Sequence, residues 1–231
     1  MSYIKENLNS VTESIRNAEK KSGRPAGAVK LIAVTKTYGA DAINEAIDCG
    51  VTDIGENRVQ EILEKYDRIK PVRWHLIGHL QKNKVKYIID KVCLIHSVDS
   101  MELAREINRQ AEKIGKVQDI LIQVNVSGEE SKFGIKPEEC PALCRDISGM
   151  DSVRVRGLMT IAPFTEDESV LRNVFCGLQQ LSAKISEEKN DNISMDELSM
   201  GMTHDFPLAI EAGSTMVRVG TGIFGQRDYS K

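Results

Sequence analysis

Residues 30–50, KLIAVTKTYGADAINEAIDCG, decide the fold predicted for this chain. Residues 30–34 form a short run rich in aliphatic and β-branched side chains, which is typical of a buried strand. Residues 40–48 carry apolar positions at three- and four-residue spacing, which is typical of a helix. Because a strand followed by a helix is the repeating unit of parallel α/β sheets, this stretch predicts an α/β fold.

The same alternation of strand and helix continues along the chain. The predicted strands are residues 30–34, 52–55, 73–77, 92–96, 119–126, 153–159, 198–200 and 216–219. These eight strands are the number that a closed barrel of parallel strands requires. The predicted fold class is therefore α/β, a TIM-like (β/α)8 barrel.

Helical segments are predicted before the first strand and between the later ones. The predicted helices are an opening helix that ends near residues 21–23, followed by residues 40–48, 58–66, 100–114 and 166–189. In residues 100–114 the apolar positions at helical spacing are Leu103, Ile107, Ala111 and Ile114. We expect these four side chains to face the barrel wall.

The composition is that of one ordinary globular domain. The chain has 231 residues, of which 41% are hydrophobic and 28% are charged. Barrels of this class fill about 200 to 250 residues as one unit, so we predict a single barrel domain over residues 1–231 with an N-terminal helix. The net charge of -3, without a basic block, argues against nucleic-acid binding.

Several other classes of protein are disfavoured by the sequence. Residues 1–24 are polar, and no run approaches the length of a membrane span, so we expect a cytoplasmic protein without a membrane segment. The five cysteines form no CxxC pair, which favours reduced thiols. His75 and His79 have HxxxH spacing but lack an acidic third ligand at helical spacing, so no metal site is predicted.

A lysine closes the first strand, at the end where barrels of this kind collect their reactive groups. Lys36 follows Thr35 directly, and partial desolvation at the barrel mouth makes an amine lose its proton more easily and attack a carbonyl. The alternative for this feature alone is a strand-end lysine that extends into solvent.

Two small loops near the end of the sequence indicate a phosphorylated ligand. Residues 199–203 (SMGMT) follow strand seven, and residues 220–222 (GTG) follow strand eight. Backbone N–H groups at glycines and the hydroxyls of Ser199 and Thr221 can donate to an anion, and the loops after strands seven and eight of barrels commonly bind phosphate. The alternative is that the glycines only permit tight turns.

Other polar residues are expected around the same ligand. Arg218 lies two residues before Gly220 in the last strand, so its side chain should enter the barrel and meet a carboxylate or the ring nitrogen of a heteroaromatic ligand. Asn57 either bonds a ring hydroxyl or caps a helix. His79 is expected near the mouth, whereas His75, within strand three, is expected to be a hydrogen-bonded core histidine.

Long motifs in a fixed order cover nearly the whole chain from residue 30 onward. They are AVTKT (33–37), GENRVQE (55–61), WHLIGHLQKNK (74–84), HSVDS (96–100), VNVSGEESKFGI (124–135), GLMTIAP (157–163) and LSMGMTHDFPLAIEAGSTMVRVGTGIFG (198–225). Together these motifs resemble the pyridoxal phosphate homeostasis protein family.

The resemblance implies a fold-type III barrel, similar to the N-terminal domain of alanine racemase, with pyridoxal 5'-phosphate (PLP) bound as a Schiff base. The cofactor-binding residues that it implies are Lys36, Asn57, Ser199, Arg218, Gly220 and Thr221. In that arrangement Lys36 binds PLP covalently and Arg218 faces the pyridine nitrogen. To this set we add His79, for its predicted place at the mouth. Thr203 and Gly222 stand where serine and alanine are common in the family.

We expect a non-catalytic protein that acts in intracellular PLP homeostasis by storing PLP or delivering it to apo PLP-dependent enzymes. An arginine opposite the ring nitrogen leaves that nitrogen unprotonated and weakens the ring as an electron sink. The chain ends at Lys231, without the second domain that supplies a tyrosine base in racemases, so we also expect a monomer. Tyr38, just beyond Lys36, is either a loop aromatic that shields the site, which we expect, or a base for proton transfer.

Two enzyme classes remain as alternatives. The first is an amino-acid racemase that uses PLP on Lys36. The second is a Schiff-base aldolase that acts on a sugar phosphate with the same lysine and no cofactor.

Overall fold

Each apolar run of the sequence forms one strand of a closed barrel in a computed structural model that describes residues 2–188 and 190–225. The strands are β1 (Lys30–Val34), β2 (Asp53–Glu56), β3 (Arg73–Leu76), β4 (Leu94–Val98), β5 (Gln118–Gln123), β6 (Val153–Met159), β7 (Ile193–Met202) and β8 (Met216–Val219). Each strand is parallel to the next, and β8 pairs with β1 to close the ring. The predicted (β/α)8 barrel is confirmed.

Helices cover the outside of the barrel and form most of the connections between its strands. The α-helices are α1 (Tyr3–Lys21), α2 (Ala40–Asp48), α3 (Val59–Lys65), α4 (Met101–Glu112), α5 (Cys140–Ile147), α6 (Glu168–Ser186), α7 (Phe206–Glu211) and α8 (Thr221–Phe224). The crossover from β3 to β4 contains a 3-10 helix, Lys82–Tyr87. Within the described part of the chain, no helix is long and apolar enough to cross a lipid bilayer.

Some element boundaries differ from those expected. Strand β7 begins at Ile193, well before the expected residue 198, because its first half is a partly exposed extension that carries no buried apolar run. Helix α4 ends at Glu112, so Ile114 lies in a turn and is 50% exposed. The prediction for Ile114 is therefore wrong, whereas Leu103, Ile107 and Ala111 are buried as expected. Lys189, where the helix over 166–189 was expected to end, lies outside the described residues.

A glycine permits the close contact between β6 and β7. The pairing register of β6 with both neighbouring strands shifts between Val155 and Gly157, which is the pattern of a β-bulge. Gly157 has a φ of 153°, and a β carbon there would lie 1.8 Å from the carbonyl oxygen of Glu197. Only glycine fits this position without moving the neighbouring backbone.

The barrel interior contains polar side chains beside its apolar layer. The apolar layer consists of Ile32, Leu94, Leu121, Met159 and Met216. The polar side chains, which we call the interior chain, are Asp53, His75, His96, Ser199 and Arg218, each on a different strand. All five are buried, and consecutive members are hydrogen-bonded to one another. The prediction that His75 is a hydrogen-bonded core histidine is confirmed.

The bulge glycine gives a test of the fold. We expect Gly157→Ala to lower the free energy of unfolding by about 3 kcal/mol or more, because the added carbon overlaps backbone atoms that cannot move independently. Gly149→Ala is the control, since a β carbon at Gly149 meets no atom within 4 Å. Equal midpoints of chemical denaturation for the two variants would contradict this account of the bulge.

The buried histidines give a pH test. Burial lowers the pKa of His75 and His96 in the folded state, so below the unfolded value of about 6.5 the unfolded chain binds protons that the folded chain does not. Their contribution to stability is therefore complete above about pH 6.5 and is lost as the pH falls, by up to about 1.4 kcal/mol per pH unit for each histidine.

Urea denaturation at several pH values between about 5 and 7 measures this slope. We expect His96→Gln to have a smaller slope than the wild type, whatever its absolute stability. Ser214→Ala is the control, because Ser214 is buried but does not titrate in this range, and it should keep the wild-type slope. A slope that is unchanged in His96→Gln would show that His96 is not held neutral.

Candidate functional site

A cavity of about 220 Å³ opens at the mouth of the barrel where the strands have their carboxyl ends. Its lining residues are Val34, Lys36, Asn57, Ile77, Ile161, Met202, Thr203, His204, Arg218, Gly220 and Thr221. Five of the seven residues predicted to bind a cofactor are among them, namely Lys36, Asn57, Arg218, Gly220 and Thr221. The structure therefore brings residues from both ends of the sequence to one site.

One side of the cavity carries two hydroxyl groups. The Oγ1 atoms of Thr203 and Thr221 lie 3.2 Å apart, and the backbone N–H of Gly222 donates weakly to Thr203 at 3.4 Å. Thr221 begins helix α8, so its own backbone N–H has no partner within that helix. These donors lie in the loops after β7 and β8, where a phosphate was predicted.

Ser199 is not placed as predicted. It is fully buried in β7 and does not line the cavity, and its hydroxyl contacts His96 and Arg218 instead of the loop after β8. In the pairing of β7 with β8, Ser199 lies opposite Met216, the first residue of β8, and so away from the loop that follows that strand. The hydroxyl that reaches the cavity belongs to Thr203, in the loop after β7, and the placement of Ser199 does not support its predicted phosphate contact.

His79 also lies outside the cavity lining. Its ring stacks on Phe133 with 4.3 Å between the ring centroids, and its Nδ1 is 3.8 Å from a carboxylate oxygen of Asp99. The turn after β3 passes directly against the backbone of Asn57, since a β carbon on Gly78 would overlap the Asn57 carbonyl oxygen.

The residue that follows Lys36 is held in an unfavourable backbone conformation. Thr37 has a φ of 71°, which is rare for a β-branched residue. Its backbone N–H donates to Glu61 at 2.7 Å, and the N–H of Tyr38 donates to the carbonyl of Thr35 at 3.1 Å. Such strain persists only where surrounding contacts determine it, so this turn fixes where the chain places Lys36.

Thr35, which precedes Lys36, is held by a group of charged side chains that includes Glu61. The group consists of Glu56, Glu61 and Lys65, and we call it the flanking cluster. The Lys65 ammonium donates to the Thr35 carbonyl at 3.0 Å, to Glu56 at 2.7 Å and to Glu61 at 2.8 Å. The Thr35 hydroxyl donates to Glu56 at 2.7 Å. The flanking cluster therefore ties down the backbone on both sides of Lys36.

The pKa values of the two carboxyl groups in the flanking cluster are shifted in opposite directions. Burial raises the pKa of Glu56 by more than Lys65 and Thr35 lower it. Burial also acts against ionisation of Glu61, but the hydrogen bonds from Lys65 and the Thr37 N–H outweigh it, so the pKa of Glu61 lies below its ordinary value. Glu61 is therefore a charged acceptor that holds the strained turn at neutral pH.

The side chain of Arg218 enters the barrel as predicted. Within the protein it is hydrogen-bonded to a hydroxyl and a carbonyl rather than to a carboxylate. One terminal nitrogen donates to the Ser199 hydroxyl at 2.6 Å and the other to the Thr160 carbonyl at 2.9 Å. Burial lowers the pKa of Arg218 to about 10, against the opposing charge of Asp205. The guanidinium therefore stays protonated at neutral pH.

Tyr38 does not line the cavity. Its ring stacks on Phe224 at 4.6 Å between centroids, and its hydroxyl donates to the Gly225 carbonyl at 2.9 Å. These contacts direct the phenol toward the C-terminal segment, so the predicted shielding role is not supported by its placement.

Sequence reasoning missed part of the site. His204 and the apolar residues Ile77 and Ile161 line the cavity, and Thr203 was included in the predicted phosphate loop but not singled out as a donor. His204 could have been found as a polar residue in the loop after a strand end. The flanking cluster gave no such signal, because Lys65 lies at the end of a helix and only the tertiary fold brings it to Thr35.

Comparison with known proteins places this chain among relatives of the same length. The sequence model of the alanine racemase N-terminal domain family matches residues 7–228. The chain is 46% identical over 226 residues to the pyridoxal phosphate homeostasis protein of Aquifex aeolicus, with 97% of this chain and 98% of that protein covered. It is 39% identical over 236 residues to the protein of that name from Escherichia coli K12, with both chains fully covered.

Solved structures agree with this assignment. PipY of Synechococcus elongatus, solved with PLP bound, is 35% identical and superposes with a TM-score of 0.81 over 96% of this chain and all of that one. Alanine racemase of Clostridium difficile, at 16% identity, has a TM-score of 0.79 over 98% of this chain and 57% of its own, and so shares the fold. The chain belongs to the pyridoxal phosphate homeostasis protein family.

Proposed function

We propose that this protein binds PLP in the cavity at the carboxyl end of the barrel, holds it as a Schiff base on Lys36, and acts as a cellular store or carrier of the cofactor without catalysing a reaction. The observation that carries the proposal is the convergence of an amine, a buried guanidinium and paired threonine hydroxyls on one cavity. The PLP-bound structure of PipY and the names of the relatives support the choice of ligand.

The cavity residues fit the chemical groups of PLP. PLP supplies an aldehyde that a primary amine attacks, together with an electron-withdrawing ring. Lys36 provides the amine, Thr203 and Thr221 provide donors for the phosphate, and Val34 and Ile161 provide apolar surface for the ring. Ser199 and His79 are left out of this binding set, for the reasons of placement given above.

A carrier role fits the protonation of the site better than catalysis. Because Arg218 keeps its proton at neutral pH, it offers the ring nitrogen a hydrogen bond but no acidic proton, and the ring stays a weak electron sink. The Tyr38 phenol already donates to a backbone carbonyl. We propose apo PLP-dependent enzymes as the recipients of the cofactor.

Covalent binding of PLP can be tested by comparing two lysines near opposite ends of β1, Lys36 and Lys30. The wild type mixed with PLP should acquire a visible absorption band, and borohydride should fix one pyridoxyl group on the peptide that contains Lys36. Lys36→Ala should lose both signals. Lys30→Ala should keep both, because Lys30 lies at the opposite end of β1 and lines a cavity at the other mouth.

The outcomes of this experiment separate the proposed functions. Protein that stays colourless with PLP would exclude PLP binding and favour the cofactor-free aldolase. Loss of α-deuterium from an amino acid, abolished in Lys36→Ala, would replace the carrier by a racemase-like enzyme. An adduct on another lysine would contradict the role given to Lys36.

The flanking cluster gives a second test. We expect Glu61→Ala to weaken PLP binding on the order of tenfold, because the Thr37 N–H loses its charged acceptor and the strained turn can relax away from the cavity. Glu64→Ala is the matched control, since Glu64 is an exposed glutamate on the same helix. Fluorescence or absorbance titration measures both affinities, and equal affinities would refute positioning by Glu61.

A further inference from the structure

The interior chain links two oppositely charged side chains across the barrel. From Asp53, the carboxylate oxygen Oδ1 lies 2.9 Å from His75 Nε2, and His75 Nδ1 lies 3.0 Å from His96 Nε2. His96 Nδ1 lies 2.9 Å from the Ser199 hydroxyl, to which Arg218 donates at 2.6 Å. Every link joins groups on different strands, so the barrel itself determines these contacts.

The charges at the two ends fix the direction of every hydrogen bond in the interior chain. Burial opposes ionisation of Asp53, but hydrogen bonds from His75 and Arg73 hold its pKa well below the ordinary value, so Asp53 accepts. His75 must therefore carry its proton on Nε2. Burial keeps His75 neutral, so its Nδ1 accepts from His96 Nε2–H.

The same reasoning continues to the guanidinium. Burial and the neighbouring positive charges keep His96 neutral, so with its proton on Nε2 its Nδ1 accepts from the Ser199 hydroxyl. The oxygen of Ser199 then accepts from Arg218, which can only donate. Donation runs in one direction from the guanidinium to the carboxylate, with two histidines in the same Nε2–H tautomer.

We propose that the interior chain fixes the orientation of the Arg218 guanidinium and stabilises its charge, so that its remaining N–H groups are presented to the ring of a bound cofactor. The inference rests on the proposed function. Asp53, His75, His96 and Ser199 are then positioning residues, and Ser199 acts on the ring side of the cofactor through Arg218.

The burial of the Arg218 charge explains physically why the interior chain would be needed. A buried guanidinium is costly unless it is hydrogen-bonded and compensated by charge. The direct partners of Arg218 are a hydroxyl and a carbonyl, and both are uncharged. The Asp205 carboxylate opposes the lowering of the Arg218 pKa through its charge. Because polarised hydrogen bonds in a low-dielectric interior strengthen one another, the Asp53 carboxylate adds to this effect through the intervening neutral groups.

The interior chain does not conduct protons, because its two terminal residues, Arg218 and Asp53, keep their protonation states. A relay would need a terminal group that gives up its proton near neutral pH, and Arg218 does not. At the other end, Asp53 is bound in bidentate fashion by Arg73, at 2.9 and 3.0 Å, and stays ionised. The interior chain is therefore a fixed set of dipoles that holds its direction.

The tautomers can be measured without any cofactor. Nitrogen-15 NMR of the wild-type protein at pH 7 distinguishes protonated from unprotonated ring nitrogens, and His75→Gln and His96→Gln assign the signals. We expect both buried histidines to be neutral with the proton on Nε2. A proton on Nδ1 of either ring would reverse a link and overturn the proposal, whether or not the protein binds PLP.

The effect on the ligand can be measured with Ser199→Ala. This variant should weaken binding of PLP and of unphosphorylated pyridoxal alike, on the order of tenfold, and shift the absorption maximum of bound PLP. Competition by inorganic phosphate should be unchanged. Ser214→Ala is the matched control, because Ser214 is a fully buried serine between β7 and β8 that donates only to backbone carbonyls such as those of Leu198 and Met200.

Each other outcome has a definite meaning. If Ser199→Ala weakens PLP and inorganic phosphate but not pyridoxal, Ser199 is a phosphate ligand and the positioning role is wrong. If Ser199→Ala and Ser214→Ala give the same spectrum and affinity, Ser199 acts only on stability. If the wild type binds no PLP while the histidine tautomers are as expected, the proposed function fails and the interior chain remains a structural device.

Discussion

The parallel pairing of β1 with β8 is the constraint on which the site depends. Ile32 lies opposite Arg218 and Ala33 opposite Val219, so the first and last strands end at the same mouth. Lys36 and Thr221 follow these two strands and line one cavity, although 185 positions separate their residue numbers. Without closure of the barrel, the Lys36 amine and the Thr221 hydroxyl would not line one cavity.

The second consequence of closure is a guanidinium inside the barrel. Burying a charge is unfavourable, and Arg218 is stabilised by a hydroxyl, a carbonyl, the nearby charge of Asp205 and the interior chain that ends at Asp53. Because Arg218 remains protonated, the same arrangement limits the electron-withdrawing power of a ring held against it. Stability and the proposed carrier role therefore depend on the same buried residue.

Around Lys36 the fold uses strain and charge together. Thr37 adopts a left-handed conformation that its side chain disfavours, and the flanking cluster supplies the hydrogen bonds that maintain it. A lysine has many rotamers, so fixing the backbone on both sides reduces the number of positions that its amine can sample. A carrier that must find the same aldehyde repeatedly gains from this restriction.

The sequence by itself determined the barrel, because apolar runs and helical spacing are local properties that each strand and helix shows alone. It also predicted that Lys36 and Arg218 lie at the barrel mouth, because their positions after and within strands follow from the order of the elements. Only the tertiary structure decided which hydroxyl reaches the cavity, because Ser199 is hydrogen-bonded inside the barrel to His96 and Arg218, whereas Thr203, in the loop after β7, lines the cavity. The flanking cluster and the interior chain were likewise decided by tertiary structure, since their contacts join residues on different strands and helices and no local pattern encodes such contacts.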